Sequence, residues 1–413
     1  MTAIVPGLSG GSVGRVRWPL LVLVALVGVA SGLAAAAFVA ALEALTELLG
    51  PENWSDTGTL VVLGAAGAGI ALITLLLGNP GDVELLVDNI HVSGGRSDIR
   101  DLRSLLPVAL LGIAAGSAIG PEAPLVQTTG SIGSWVGLRL RLSEEEMRLL
   151  TISGMAAGFT VLLGVPLGSA VFALEILHRR GLEYYEALLP ALIGALSGYA
   201  VYVAITGLGL EPALDLPTPA ALEVGHLPLA AGLGVLGALL AAVFTYGTSI
   251  LRSMWRRVPV AVRPIVGGLA LGALAFASPY ALTFGEGQIS YISVADLTVA
   301  ALVGAGAAKL LGAALIVTAG WRGGFIIPLF FVGASFGAAI ADGFDLDRGI
   351  TMTALMVAVN VGVTKTPLGS TLIVAGMAGF TNLPTMLIAA LVALVLTSRI
   401  GMIDTQRARE SET

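Results

Sequence analysis

The residue best placed to do chemistry is Glu122, within Gly120–Pro121–Glu122–Ala123–Pro124. Its surroundings are apolar. Glycine and proline interrupt the segment before it, and Leu125–Val126–Gln127 opens a new apolar helix just after. Glu122 is therefore expected at or just before a helix N-terminus at membrane depth. A charge there is costly and marks function. The positive end of a helix dipole favours an anion, and Glu122 can itself supply the carboxylate. The plainer alternative is a buried carboxylate serving only as a helix cap.

Other polar residues carry weaker signals. Glu175 and His178 stand three apart, which puts them on one helix face. A Glu-x-x-His pair occurs in carboxylate metal sites. The chain offers one such pair, and His91 and His226 lack its spacing, so no metal is expected. The pair reads as a polar helix end facing the cytoplasm, with proton acceptance by Glu175 or His178 as the functional alternative. Lys309 lies in an apolar stretch, where it can raise the local positive potential, snorkel, or bond a carbonyl. Glu286, in Gly285–Glu286–Gly287, reads as a loop residue. Glu144–Glu146 reads as a solvated helix start. Gln127 either packs polar atoms or steadies the Glu122 region.

Two function classes are disfavoured. An intramembrane protease needs paired aspartates, a serine–histidine pair or His-Glu-x-x-His on a helix, and none is present at membrane depth. The chain is therefore not expected to be an enzyme. A cation pathway is usually lined by several buried carboxylates. Here there is essentially one. No cofactor and no nucleic-acid partner is expected.

The elements that must position Glu122 are membrane helices. The 413 residues are 12% charged, against about 25% in soluble domains, and contain no cysteine. Mean hydropathy is +0.93. Apolar runs reach the length of about 20 residues that a bilayer span requires. The chain is expected to be an all-α polytopic membrane protein of ten or more helical segments, without a cleavable signal peptide or an appended soluble domain. Its 55 glycines predict close helix packing and interrupted helices.

Expected helical stretches cover about 16–49, 58–78, 122–139, 147–161, 167–178, 184–206, 227–251, 262–278, 296–318, 325–341, 349–362, 367–379 and 383–400, and an apolar segment 104–119 runs into the Glu122 motif. The arginines at 252, 256, 257 and 263 place the loop between two spans in the cytoplasm, and Arg15, Arg17, Arg399, Arg407 and Arg409 place both termini there. The acidic loops 51–57 and 207–226 then face outside. The expected membrane is the cell (plasma or inner) membrane.

Two pieces of the first half recur in the second. Gly120-x-x-x-Pro124–Leu125 matches Gly324-x-x-x-Pro328–Leu329, and Pro166–Leu167–Gly168–Ser169 matches Pro367–Leu368–Gly369–Ser370. The offsets, 204 and 201 residues, nearly agree. The expected organisation is a cytoplasmic N-terminus 1–15, a first repeat 16–206, an outer loop 207–226, a second repeat 227–400 and a tail 401–413. Interrupted helices at matched positions of two repeats point to a binding site near the bilayer midplane. Two helix N-termini meeting there make a positive pocket without a buried lysine, which suits an anion.

With these motifs the chain resembles the CLC family of chloride channels and proton-coupled anion antiporters. Gly120–Pro121–Glu122–Ala123–Pro124 is similar to that family's G-[RK]-E-G-P, and Gly324–Phe325–Ile326–Ile327–Pro328 to its G-x-F-x-P. Val165–Pro166–Leu167–Gly168 and Lys365–Thr366–Pro367–Leu368 resemble its paired A-P-L segments. The resemblance implies two inverted repeats, a homodimer with one pore per subunit, and transport of chloride or another small monovalent anion across the bilayer. It makes Glu122 the gating glutamate. It assigns the central anion to the backbone N–H groups of Phe325 and Ile326, and the outer site to the region of Glu122 and Ala123.

The chain departs from the family pattern in four places. The family's G-S-G-I-P is represented by Asn79–Pro80–Gly81–Asp82–Val83, with its serine falling on Pro80 or, one residue earlier, on Asn79. Proline offers the anion neither hydroxyl nor N–H. Relatives with proline here favour nitrate, so the resemblance adds nitrate as a candidate. The inner-pore tyrosine falls on Ile403, in Ile403–Asp404–Thr405–Gln406. The inner proton glutamate falls on Ile176, which cannot relay a proton and leaves Glu175 and His178 as the candidate path. Pro121 and Ala123 replace the basic residue and the glycine that flank the gating glutamate. Proton-coupled antiport and a passive anion channel both stay open.

Overall fold

The computed structural model describes residues 18–81, 90, 95–178, 185–207, 216–217, 221–403 and 406. Asp82, Val83, His91, Asp404 and Thr405, named above, lie outside the described residues, as do residues 1–17 and 407–413. Among the described residues there is no strand, only helices and their connections.

The first repeat runs α1 (Trp18–Leu49), α2 (Asp56–Leu77), α3 (Leu102–Ala114), α4 (Glu122–Leu140), α5 (Glu144–Leu163), α6 (Pro166–Glu175) and α7 (Leu188–Thr206). The second runs α8 (His226–Trp255), α9 (Arg263–Ala277), α10 (Glu286–Val294), α11 (Val299–Thr318), α12 (Ile326–Phe344), α13 (Arg348–Thr364), α14 (Pro367–Ala378) and α15 (Leu383–Leu396). Among the described residues, seven helical segments are long and apolar enough to cross a bilayer. The shorter ones, α6 and α14 among them, reach only part of the way.

Two helix stops are shared by the repeats. The residue ending α4, Arg141, is left-handed at φ 55, and its counterpart after α12, Asp345, has φ 52. The residue ending α5 is Gly164 at φ 69, and its counterpart after α13 is Lys365 at φ 64. Starts match as well. Pro166 and Pro367 occupy the first position of α6 and α14, where a missing N–H costs nothing. The acidic start of α5 closes a reciprocal cap, with Ser143 and Glu146 each bonding the other's backbone N–H.

Within each repeat the same partners pack, α1 with α5 and α7, and α8 with α13 and α15. Across the repeats α2 packs on α9, and α6 on α14. The α6–α14 pair is antiparallel, since Gly168 faces Ile373 while Gly369 faces Phe172. The two halves are thus inverted relative to each other. Helices α5 and α12 are the most enclosed of the spans. Helix α2 leaves Leu72, Leu75 and Leu76 exposed, as a lipid-facing helix does.

Two readings of the sequence change. The helix expected over 167–178 ends at Glu175, so His178 sits beyond it, in a turn closed by its N–H on Glu175 O at 2.9 Å. Glu175 and His178 therefore do not share a helix face. Glu286 is not a loop residue. Left-handed Gly285 (φ 100) turns the chain into α10, and Glu286 is its first residue. The flanking glycines resemble loop composition, but here the first glycine supplies the turn into the helix.

Close packing uses small residues as expected. Gly28 and Gly32 on α1 face Gly194 and Gly198 on α7, and a Cβ on Gly32 would lie 2.3 Å from Gly198 O. Gly232 on α8 has open space around it. Gly32→Ala is expected to destabilise the protein by about 1–3 kcal/mol through overpacking. Gly232→Ala is expected to be neutral or stabilising by up to about 1 kcal/mol through helix propensity. Thermal unfolding of both variants in detergent checks this; equal behaviour contradicts the packing described.

Candidate functional site

The site is built where the two repeats meet. Gly120 N–H donates to Gly324 O at 2.8 Å, and Gly324 N–H donates to Gly120 O at 2.6 Å. This reciprocal antiparallel bridge joins the residues just before α4 and α12. The first intrahelical bonds of those helices are also matched, Leu125 N–H to Pro121 O and Leu329 N–H to Phe325 O, each at 3.0 Å. The backbone N–H groups of the first turn have no partner within their own helix. In α4 these belong to Glu122 and Ala123, and in α12 to Ile326 and Ile327, because Pro124 and Pro328 carry none. Two positive helix ends thus lie side by side at the centre of the bundle.

Glu122 occupies that field. Its side chain is fully buried, and Oε1 accepts the Ile327 N–H at 2.6 Å. The carboxylate of one repeat therefore binds the helix N-terminus of the other. Oε2 is buried with no hydrogen-bond donor among the described residues. The two bridging glycines make room for it. A Cβ would stand 2.1 Å from Oε2 at Gly120 and 2.5 Å at Gly324.

The turn before Glu122 is held from outside the repeat. Gly116 O accepts the Thr283 N–H at 2.8 Å. Lys309, fully buried on α11, donates through Nζ to Leu282 O at 2.5 Å and Thr283 O at 2.6 Å. The same nitrogen lies 5.1 Å from the Phe331 ring centroid. Of the roles open to it in the sequence, Lys309 takes the carbonyl-bonding one.

Beside the Glu122 turn lies a narrow cavity of about 50 Å³. Gly81, Ala123, Phe325 and Ile403 all line it, so four residues far apart in sequence converge there. Gln127, Arg252, Arg322 and Met402 also line it. Phe325 is steadied by Phe244, ring centroids 6.0 Å apart. Met402 Sδ, next to Ile403, lies 3.3 Å from the Thr248 hydroxyl, which donates to Thr245 O at 2.8 Å. Pro80 is buried but does not line this cavity, and neither does Ile326. Asn79 is exposed and lines a separate cavity of about 300 Å³, where its Oδ1 accepts from Arg322 at 3.4 Å. Ile327 and Arg322 are missed in the sequence. The Ile327 N–H matters only once the inverted repeats oppose each other, and a lone arginine carries no spacing signal.

Glu175 caps the opposite repeat as Glu122 does. Its Oε1 accepts from Leu368 N–H at 3.1 Å and Oε2 from Gly369 N–H at 2.6 Å, both in the first turn of α14. Ile176 follows directly, and its carbonyl accepts from Gln406 Nε2 at 2.9 Å. His178 is fully buried beside this turn. No cluster of histidine, aspartate and glutamate able to hold a metal occurs among the described residues.

Comparison with known proteins agrees with this architecture. Residues 83–398 match the family described as voltage gated chloride channel. A chloride/fluoride channel protein of Pseudomonas syringae pv. tomato is 28% identical over 412 residues, covering 96% of this chain and 87% of its own. An H+/Cl− exchange transporter of Yersinia pseudotuberculosis is 25% identical over 79% of this chain and 72% of its own. The crystal structure of a CLC-type fluoride/proton antiporter superposes with a TM-score of 0.81 at 24% identity, over 94% of this chain and 98% of that one. A slow cyanobacterial Cl−/H+ antiporter superposes equally well, at 0.81 and 20% identity, over 93% and 95%. With its inverted repeats, its paired helix N-termini and a family match over most of its length, this multi-pass membrane protein belongs to the voltage-gated chloride channel (CLC) family.

Proposed function

We propose that the protein exchanges a small halide for protons, and that Glu122 is both the gate and the outer proton carrier. The observation that carries this reading is the Glu122 carboxylate on the Ile327 N–H, between two helix N-termini and beside the narrow cavity. A carboxylate and a halide compete for the same donors. When Glu122 is ionised it fills the positive pocket; when protonated it loses its attraction to the helix ends and swings away, and the anion takes its place. Each cycle then moves a proton and an anion through one position.

Halides are the preferred class for two reasons. The relatives are named for chloride and fluoride. The case for nitrate rested on a proline at the central site, and Pro80 is not among the residues lining the cavity. Fluoride and chloride are accordingly the first ions to test, with nitrate as the comparison. The homodimer is carried over from the family resemblance. The cytoplasmic mouth is assigned to the end carrying Arg252 and Arg399.

The second reading is a passive anion channel. It is favoured by Ile176 and Ile403, which stand where the family pattern has a proton-accepting glutamate and a pore-closing tyrosine. Reconstitution decides between them. In liposomes holding the purified protein, anion efflux is recorded together with external pH. Antiport requires uphill proton movement driven by an anion gradient, and its loss in Glu122→Gln with anion flux retained. Anion flux without coupled protons establishes the channel reading. No flux of fluoride, chloride or nitrate contradicts both.

The pH dependence has a definite sign. Protonation vacates the pocket, so wild-type anion flux is expected to rise as pH falls, while Glu122→Gln is expected to be pH-independent. In Gly324→Ala the added methyl crowds Oε2. Its anion flux at neutral pH is expected to exceed that of wild type, with a flatter pH profile. Unchanged profiles in both variants contradict gating by Glu122.

A further inference from the structure

We propose that protons pass between Glu122 and the cytoplasmic end through a buried chain of side-chain hydroxyls that ends at Glu175 and bypasses Ile176. This rests on the antiport reading. Four fully buried residues form the chain, Asn360 and Thr364 on α13, Thr366 at the cap of α14, and Ser370 on α14. Thr364 Oγ1 lies 2.7 Å from Thr366 Oγ1, and Thr366 Oγ1 lies 2.7 Å from Ser370 Oγ. Asn360 Nδ2 donates to Ser370 Oγ at 2.8 Å.

The resting polarity follows from counting protons. Thr364 has one hydroxyl proton and gives it to Asn360 O at 2.8 Å. It must therefore accept from Thr366, and Thr366 in turn from Ser370. The donors all point from Ser370 toward Thr364. The chain rises by one helical turn, about 5.4 Å, along both α13 and α14.

The chain runs from the Glu175 cap on α14 toward the first turn of α12. At the lower end Glu175 accepts the N–H groups of Leu368 and Gly369, so its carboxylate stands at the turn that Thr366 opens. Gln406 Nε2 bonds both Ile176 O at 2.9 Å and Thr364 O at 2.8 Å, which holds the chain beside the isoleucine it would bypass. At the upper end, Gly333 faces Met356 and Gly337 faces Met352. Continued along the antiparallel pair, that register sets Asn360 opposite Leu329, in the first turn of α12. The same turn supplies the Ile327 N–H to Glu122. Asn360 Oδ1 is buried and has no donor among the described residues. A buried acceptor in that state marks a place for an internal water.

Three ionisable groups adjoin the chain. Glu175 faces it from α6. Lys365 is buried between Thr364 and Thr366, but its Nζ is drawn away to Gly362 O at 2.5 Å and Thr397 Oγ1 at 2.7 Å. His178 lies beyond Glu175, its backbone N–H on Glu175 O.

The transfer balances with water as the only other participant. Protonated Glu122 gives its proton through water to the water on Asn360 Oδ1, and that water gives a proton to Ser370 Oγ while the Ser370 proton passes to Thr366 Oγ1. Thr366 turns its own proton from Thr364 to a water that delivers a proton to the Glu175 carboxylate. Each hydroxyl oxygen ends with one proton. One proton has entered at the top and one has left at the bottom. Rotation of the hydroxyls resets the chain, and the opposite rotation carries a proton the other way.

The test is proton uptake and chloride or fluoride efflux in liposomes, with wild type, Thr366→Val, Thr366→Ser and Ser370→Ala. Thr366→Val, nearly isosteric, is expected to lower protons moved per anion by about tenfold or more, with anion efflux retained. Thr366→Ser, which keeps the hydroxyl, is expected to restore coupling, as a merely structural role would not require. Ser370→Ala is expected to lose coupling as well. Coupling unchanged in Thr366→Val and Ser370→Ala overturns the route while leaving antiport standing. If Thr366→Val does not fold, Ser370→Ala decides alone. Wild-type anion efflux with no proton movement removes the antiport reading and the route together.

Discussion

The structure depends on two helix N-termini being held side by side in a low-dielectric interior. Like ends of two dipoles repel, so the arrangement needs a fixed frame and a counter-charge. The frame is the reciprocal Gly120–Gly324 bridge. In this account the counter-charge is Glu122, whose carboxyl oxygen accepts from the helix of the opposite repeat at 2.6 Å. Neither glycine tolerates a side chain while the carboxylate is in place. In this account the same repulsion that Glu122 relieves is what a transported anion relieves when Glu122 leaves.

Much of the remaining polar interior serves that frame. Lys309 ties down the Leu282–Thr283 turn, which in turn fixes Gly116 ahead of Glu122. Glu175 repeats the cross-repeat cap at the α6–α14 contact, so among the described residues both buried carboxylates of the first repeat bind an N-terminus of the second. Buried acceptors held by charge-assisted backbone bonds are geometrically exacting. The close glycine contacts between α1 and α7 keep the helices near enough for such bonds to form.

The helices were legible in the sequence because apolar runs, prolines at first turns and polar stops act locally. Glu122 was legible because a charge in an apolar run has few bland explanations. The inverted repeat showed in two short motifs, whose matched helix ends include residues as unlike as Gly164 and Lys365. Sequence reasoning failed where the cause is tertiary. Glu286 resembled a loop residue because Gly285 signals a turn without saying that a helix follows. His178 resembled a partner of Glu175 because spacing alone does not show that α6 stops. Ile327 and the Thr364–Ser370 chain carry no motif, and their roles come from which elements the inversion brings together. The convergence of Gly81, Ala123, Phe325 and Ile403 was anticipated only through family resemblance, while the placing of Pro80 off that cavity was not.

The most direct test is anomalous diffraction from crystals grown in bromide, a halide visible at its own absorption edge. Glu122→Gln and wild type are compared under the same conditions at neutral pH. The account predicts an anomalous peak in the variant within hydrogen-bond reach of the Ile327 N–H, and in wild type a carboxylate at that position instead. A wild-type structure with bromide and the Glu122 carboxylate both on the α12 N-terminus, or a variant with no bromide near it, would contradict competition between gate and anion for one positive pocket.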